Sequence, residues 1–125
     1  MLRDPHILDH TLAPGERRVV TRLVEVLREE YGPTLERAVV FGSRARGDVG
    51  PDSDIDLLVL LRVPLADEGA AMDRVWDLMV EVKREVAPHE YVPLAPIVLA
   101  AERFEHLKQR ERRFALDVET EGIAL

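Results

Sequence analysis

Two aspartates, Asp54 and Asp56, stand at alternate positions where an apolar run begins. Residues of a β-strand alternate between two faces, so both carboxylates point one way while Ile55 and Leu57 point into the core. Their Cα atoms are expected roughly 6.5 Å apart, which lets both carboxylates reach one divalent cation. Two carboxylates on one face of an apolar strand are costly unless a cation or water compensates them. The pattern therefore predicts a metal site at these two residues, and we expect Mg²⁺ as the ion.

A glycine-serine corner precedes the aspartates and suits an anion. Gly42 has no Cβ, so the backbone there can turn sharply and approach a ligand closely. Ser43 is predicted to cap a short helix that begins at Arg44, which leaves N–H groups aimed at an anion. Arg44 and Arg46 add positive charge and donor groups suited to phosphate oxygens. Phosphate on one side and metal on the other describe a nucleoside triphosphate site.

A simpler explanation of the same stretch is a hairpin with a polar turn, whose two aspartates face solvent. The corner, the arginines and the aspartates occur in the order that a nucleotide site needs, which favours the site. Asp48 and Asp52 are predicted to be turn residues rather than metal ligands, with residues 49–52 in a tight loop.

At these residues the chain resembles a known family. The stretches GSRARGD at 42–48 and SDIDL at 53–57 resemble the signature of the DNA polymerase β-type nucleotidyltransferase superfamily. More specifically, they resemble its small stand-alone members, the minimal nucleotidyltransferases. The resemblance implies an α/β (α+β) fold in which a small mixed β-sheet is flanked by helices. It also implies metal-dependent transfer of a nucleoside monophosphate with release of pyrophosphate.

The chain departs from this family at one position. The resemblance implies a third carboxylate on a later strand, which completes the metal site and helps deprotonate the attacking hydroxyl. Residues 91–99, the expected strand, contain no Asp or Glu. Glu90, just before that strand, and a residue from a partner are the two candidates for the lost ligand. We therefore expect nucleotide binding to survive and transfer to be slow or absent.

Three apolar runs and a short terminal one are predicted to be β-strands. They span residues 35–41, 55–61, 91–99 and 122–125. The run at 55–61 is almost unbroken after Asp56, which predicts a central strand covered on both faces. The run at 91–99 contains Pro93 and Pro96, which a regular central strand could not both accommodate. We therefore expect that strand to lie at the sheet edge, or one proline to lie at a strand end or bulge.

Four stretches are predicted to be helices, the two longest from their amphipathic spacing. They span residues 14 to about 31, 68–86, 101 to about 109, and 114–121. Pro14 suits a first turn, and the Gly-Pro pair at 32–33 ends the first helix. In the second helix, Met72 and Trp76 belong to a stripe that we interpret as buried core. Residues 1–13 are expected to form an arm or a short helix.

Composition limits the class of protein. A chain of 125 residues, 46% hydrophobic and 33% charged, predicts one folded domain over 1–125. A net charge of −7 and six aromatic residues argue against binding a nucleic-acid polymer. Apolar runs of about five residues argue against a membrane span. The absence of cysteine fits a cytoplasmic protein.

Three functions fit these observations. The first is an enzyme that binds a nucleoside triphosphate, ATP above all, and transfers AMP or another NMP to a partner protein. The second is a nucleotide-binding antitoxin or interaction module with little or no turnover. The third is a transferase for a small hydroxylated molecule such as an aminoglycoside. The resemblance implies a HEPN-domain protein as partner in a toxin–antitoxin pair, and a homodimer is the alternative that could complete the acceptor site.

Overall fold

Four strands and six α-helices, joined in part by three short 3₁₀ helices, make up the fold in the part of the chain that the computed structural model describes, residues 5–47, 53–110 and 112–125. The strands are Leu35–Phe41 (β1), Ile55–Leu61 (β2), Leu94–Ala100 (β3) and Ile123–Ala124 (β4). The helices are Leu8–Thr11 (α1), Pro14–Tyr31 (α2), Ser43–Arg46 (α3), Glu68–Val86 (α4), Ala101–Arg110 (α5) and Arg112–Glu121 (α6). The strands form one sheet in the order β3-β2-β1-β4. The predicted mixed sheet flanked by helices is confirmed.

Strand β2 lies inside the sheet. It runs antiparallel to β1 and parallel to β3, and β1 also runs antiparallel to β4. The side chains at 57–61 are at most 1% exposed. A strand this apolar is stable only when both of its faces are covered, as the sequence predicted.

The two faces of the sheet carry separate apolar cores. On one face, alternate strand residues such as Leu57 and Val59 pack with the buried stripes of α2 and α4. On the other face, Leu58 and Leu60 pack with Phe104 of α5 and the apolar side of α6. Because side chains two apart share a face, Asp56 lies on the face of Leu58. Asp56 therefore opens toward the side of the sheet on which α5 and α6 pack.

Strand β3 is an edge strand in the described part of the sheet, pairing with β2 alone. It begins at Leu94 rather than at Tyr91, because Pro93 stays outside the ladder and only its carbonyl joins, accepting a 2.8 Å hydrogen bond from the Ile55 N–H. Pro96 lies within the strand, opposite Leu57. An edge position tolerates a proline whose missing N–H would face away from the sheet. Both alternatives predicted from the two prolines are found, since β3 lies at the edge of the described sheet and Pro93 lies just before the start of the strand.

Helix α4 has the predicted bounds, but its buried face differs from the prediction. Met72 and Trp76 are 36% and 41% exposed, so their assignment to the core was wrong. The buried face is formed by Ala71, Val75, Leu78, Met79 and Val82. Successive helix residues are turned by about 100°, so a position next to the buried stripe can face solvent. The choice between neighbouring apolar stripes depends on how α4 docks.

The N-terminal elements agree with the sequence pattern. Helix α2 begins with Pro14, and Glu16 accepts a 2.8 Å hydrogen bond from the Ala13 N–H, which satisfies a donor at the helix start. The short helix expected within residues 1–13 is α1. The loop predicted at 49–52 and the turn residue Asp48 lie outside the described residues. Among the described helices, none is both long and apolar enough to cross a bilayer.

Candidate functional site

The corner between β1 and α3 requires a glycine for two reasons. Gly42 has φ +76° and ψ −156°, a conformation that residues with a Cβ rarely adopt. In addition, a Cβ at this position would lie 2.3 Å from Oδ2 of Asp56. The missing side chain therefore lets the carboxylate of Asp56 lie directly over the backbone of the corner.

Ser43 is the first residue of α3, and Gly42 is the residue that precedes the helix. No side chain caps this helix, so the predicted capping role of Ser43 was wrong. Its half-buried side chain nevertheless stands at the helix start. The first N–H groups of any helix have no acceptor within it, so the backbone at this corner suits an anion.

Asp54 and Asp56 form an acidic pair at the start of β2. Asp54 is exposed and immediately precedes the strand, whereas Asp56 is half-buried within it. Burial raises the pKa of Asp56, the negative charge of Asp54 raises it further, and the positive charge of Arg46 partly opposes both effects. Two carboxylates close enough to repel each other are a donor set that Mg²⁺ fits, since it binds one or two carboxylates together with phosphate oxygens and water.

Strand pairing shows which residue stands beside Asp56. Phe41 of β1 pairs with Asp56 on one side, and Ala95 of β3 pairs with it on the other. Paired residues of neighbouring strands present their side chains to the same face of the sheet. Ala95 is therefore the position on β3 from which a third carboxylate could reach the acidic pair, and it has only a methyl group.

Glu90 does not replace this missing carboxylate. It accepts a 2.7 Å hydrogen bond from Nη2 of Arg18, and a Cβ on Gly15 would lie 1.3 Å from its Oε2. Both contacts are with α2, which packs on the face of the sheet opposite to Asp56. In the described ranges, no group of three or more His, Asp or Glu side chains could hold a metal ion.

Arg46 lies between the acidic pair and the end of α6. Its Nη1 is 3.2 Å from Oε2 of Glu121, and its side chain is 37% exposed. The same positive charge acts on the Asp56 carboxylate. Arg46 is thus a partly exposed, positively charged side chain near the predicted metal ligands.

Arg44 has a different role from the predicted contact with phosphate. The side chain is 4% exposed, and the guanidinium donates to groups of the protein on all sides. Its acceptors are the carbonyl of Thr11, both carboxylate oxygens of Glu16, and the carbonyl and Oγ of Ser53. A guanidinium has five N–H groups, and these five contacts use them all. The structure therefore does not support Arg44 as a phosphate ligand.

Sequence reasoning missed Glu16. It lies 28 residues before Arg44 in the chain, and its position in the first turn of α2 is sufficiently explained by helix capping. An acidic residue at such a position gives no sign of a second, distant partner. Only the packing of α2 against the corner brings the two side chains together.

The chain is similar to a known domain family and to two known proteins. The family model described as "Nucleotidyltransferase domain" matches residues 20–117, well over half of the chain. A candidate protein adenylyltransferase of Methanocaldococcus jannaschii is 36% identical over 46 residues, which are 37% of this chain and 46% of the relative's length. A crystal structure of a candidate nucleotidyltransferase from Sulfolobus solfataricus aligns with a TM-score of 0.48 at 24% identity, covering 86% of this chain and 82% of the other.

Proposed function

The chain belongs to the nucleotidyltransferase domain family, and we propose that it binds a nucleoside triphosphate with Mg²⁺ and transfers the nucleoside monophosphate to a protein. The observation that carries this proposal is the acidic pair, Asp54 and half-buried Asp56, beside the backbone corner at Gly42. ATP as the nucleotide and a protein as the acceptor are supported by the name of the archaeal relative, of which the match spans less than half.

In this proposal each element of the site has one task. Asp54 and Asp56 hold the cation, whose chemistry when bound is to neutralise charge on the phosphates as the bond to pyrophosphate breaks. The backbone of Gly42 and the hydroxyl of Ser43 bind phosphate oxygens at the start of α3. Arg46 adds a positive charge on the open side of the acidic pair. Arg44 contacts no nucleotide.

A second candidate function is supported by Ala95. Ala95 has only a methyl group where β3 passes Asp56, so the chain has two carboxylates where the resemblance to the family implies three. In the two-metal mechanism, the ion that activates the attacking oxygen depends most on protein carboxylates. The alternative is therefore a nucleotide-binding subunit with slow or no transfer, paired with a HEPN-domain protein. Either function is proposed for the cytoplasm, which the absence of cysteine supports.

The proposal is tested with the double variant Asp54→Asn/Asp56→Asn. We expect Mg²⁺·ATP binding, measured by titration calorimetry, to weaken at least about 100-fold, because the cation loses both charged ligands. The fold should be at least as stable to urea as the wild type, since two carboxylates that repel each other are removed.

The matched control is Asp73→Asn/Asp77→Asn, which removes two exposed carboxylates on α4. It should bind Mg²⁺·ATP like the wild type. Unchanged affinity in Asp54→Asn/Asp56→Asn would contradict the site. To separate the two candidate functions, label from the α-phosphate of ATP is followed into the product of the neighbouring gene, where incorporation supports the enzyme.

A further inference from the structure

Arg44 joins the acidic pair to the N-terminal part of the fold. Its Nε donates to Oγ of Ser53 at 2.9 Å, and its Nη2 donates to the carbonyl of Ser53 at 2.8 Å. Its Nη1 donates to the carbonyl of Thr11, at the end of α1, at 2.9 Å. One buried side chain thus holds both the main chain and the side chain of the residue that precedes Asp54.

Glu16 balances the charge of Arg44 and fixes its orientation. The carboxylate accepts from Nη1 at 2.7 Å and from Nη2 at 3.1 Å, so the two groups meet as parallel forks. The Glu16 side chain is only 12% exposed. Oε1 of Glu16 also accepts from the Ala13 N–H, which fixes the carboxylate to the start of α2. The guanidinium is therefore held in place by the fold as well as by its own helix.

The two metal ligands are positioned by different means. Asp56 belongs to β2, and pairing with Phe41 and Ala95 sets its place. Asp54 lies before the strand begins, so the ladder of the sheet does not set its place. Two hydrogen bonds from Arg44 to Ser53 are among the contacts that hold the chain just before Asp54.

We propose that Arg44 is a positioning residue which, together with Glu16, holds Ser53 so that Asp54 stays within reach of the cation bound by Asp56. The proposal rests on the proposed function, because it assumes that the acidic pair binds Mg²⁺ with the nucleotide. A ligand displaced by about 1 Å loses much of its affinity for an ion with strict geometry, which is the physical reason for such support.

The test compares Arg44→Lys with the wild type. Lysine keeps the charge but has three N–H groups and no planar fork, so it cannot replace the five contacts of Arg44 with Thr11, Glu16 and Ser53. We expect Arg44→Lys to raise the Mg²⁺ concentration for half-maximal ATP binding by about 10- to 100-fold, as is typical when the partner of a metal ligand is lost. Binding is measured by calorimetry at a temperature where circular dichroism shows both proteins folded. Raising Mg²⁺ should then restore much of the binding.

The matched control is Arg103→Lys. Arg103 also contacts both oxygens of a carboxylate, that of Glu68, which in turn accepts from the N–H of Ala100 at the far end of β3. Arg103→Lys should be less stable than the wild type, but it should need the same Mg²⁺ concentration for half-maximal ATP binding. If Arg44→Lys does not fold, Glu16→Gln is measured instead, since it keeps the shape of the acceptor and should raise the Mg²⁺ requirement in the same direction.

The outcomes separate this inference from the proposed function. If the wild type binds Mg²⁺·ATP and a folded Arg44→Lys has the same Mg²⁺ requirement, Arg44 is merely structural and the inference is overturned. If the wild type itself does not bind Mg²⁺·ATP, the proposed function fails and the inference about a metal ligand fails with it. A raised requirement in Arg44→Lys but not in Arg103→Lys supports both.

Discussion

The carboxylate of Asp56 lies half-buried over the backbone of Gly42, with Asp54 near enough to raise its pKa. Burial and a like charge both disfavour the ionised form. The two residues that pair with Asp56 in the sheet, Phe41 and Ala95, are apolar, and Arg46 of α3 supplies a positive charge that acts on it. A carboxylate in such surroundings is better suited to binding a cation than to stabilising the fold.

At the corner, we expect each of Ser43→Ala and Arg46→Ala to weaken binding. Within one variant, the loss of affinity should be similar for ATP, GTP and CTP. Both groups are proposed to contact phosphates, which the three nucleotides share. We expect the affinity to fall by up to about tenfold when the neutral hydroxyl of Ser43 is removed, and by about 10- to 100-fold when the charged side chain of Arg46 is removed. The affinities are measured by calorimetry at constant Mg²⁺.

The control for the charge is Arg84→Ala, which removes an exposed arginine from α4 and should leave all three affinities unchanged. A strong change in base preference in Ser43→Ala or Arg46→Ala would show that the corner contacts the base instead.

At the scale of elements, β3 decides whether the site has two carboxylates or three. It runs parallel to β2 at a strand spacing of about 4.8 Å, with Ala95 beside Asp56. The neighbouring position Leu94 is buried in the other core, with α2 and α4. Of these two positions, Ala95 is therefore the one at which an introduced carboxylate could reach the cation without disturbing a core.

We expect Ala95→Asp to tighten binding of Mn²⁺, used as a probe for Mg²⁺, and to increase transfer of α-phosphate label if the wild type is slow. The reason is that the new carboxylate joins Asp54 and Asp56 around the cation. Mn²⁺ affinity is measured by calorimetry with a non-hydrolysable ATP analogue.

Ala95→Asn has nearly the same shape without the charge and is the matched control. Equal Mn²⁺ affinity in Ala95→Asp and Ala95→Asn would show that β3 does not face the cation. Glu90→Gln should have no effect on Mn²⁺ affinity, because Glu90 is engaged with Arg18 of α2.

The ion pair between Glu16 of α2 and Arg44 of α3 should make the stability of the fold depend on pH. Burial acts to raise the pKa of Glu16, but hydrogen bonds from Arg44 and the Ala13 N–H and the charge of Arg44 outweigh it, so the pKa lies below 4.5. A lowered carboxyl pKa means that the stabilisation is present above the unfolded-state pKa, about 4.5, and is lost as the pH falls through the folded-state value.

Glu16→Gln should therefore unfold more easily in urea at pH 7, by about 3 kcal/mol, because the buried Arg44 loses its counter-charge. The difference in the free energy of unfolding between Glu16→Gln and the wild type should be constant between pH 7 and pH 5. It should shrink below pH 4.5. Glu25→Gln, on the exposed side of α2, is the control. A difference that stays the same down to pH 3.5 would contradict the charge-based explanation.

For the whole molecule, the net charge of −7 opposes the approach of a triphosphate. In the proposed site, the cation and Arg46 reverse the field locally, so we expect triphosphate binding without Mg²⁺ to be weak. The described elements form one sheet covered by helices on both faces, and no separate layer is available among them to enclose an acceptor. A second subunit, either another copy or a partner protein, is the expected source of that surface.

We therefore expect the chain not to act as a lone monomer. Light scattering should give a mass above 14.2 kDa, either for the chain alone or after mixing with the product of the neighbouring gene. Mixing with an unrelated acidic protein of similar size is the control. A monomer that efficiently modifies a small hydroxylated molecule by itself would instead favour the small-molecule transferase.

The sequence alone predicted the bounds of β1, β2, α2 and α4, and the mixed sheet flanked by helices. These features follow from local physics, because hydrophobic periods of two and about 3.6 residues and the positions of Gly and Pro act within a few residues. The same local rules predicted a sharp turn at Gly42, where φ is +76°. The position of Asp56 on the same face as Leu58 is also a local property, since side chains two apart in a strand share a face.

The tertiary structure decided what depends on contacts between distant segments. It turned Arg44 toward Glu16, brought Ala95 rather than Glu90 beside Asp56, and left Trp76 at the surface. In each case several partners were locally equivalent, and the docking of one element on another made the choice. Neither strand register nor helix rotation is encoded in the period of a single element, because the same pattern satisfies more than one register until its partner is in place.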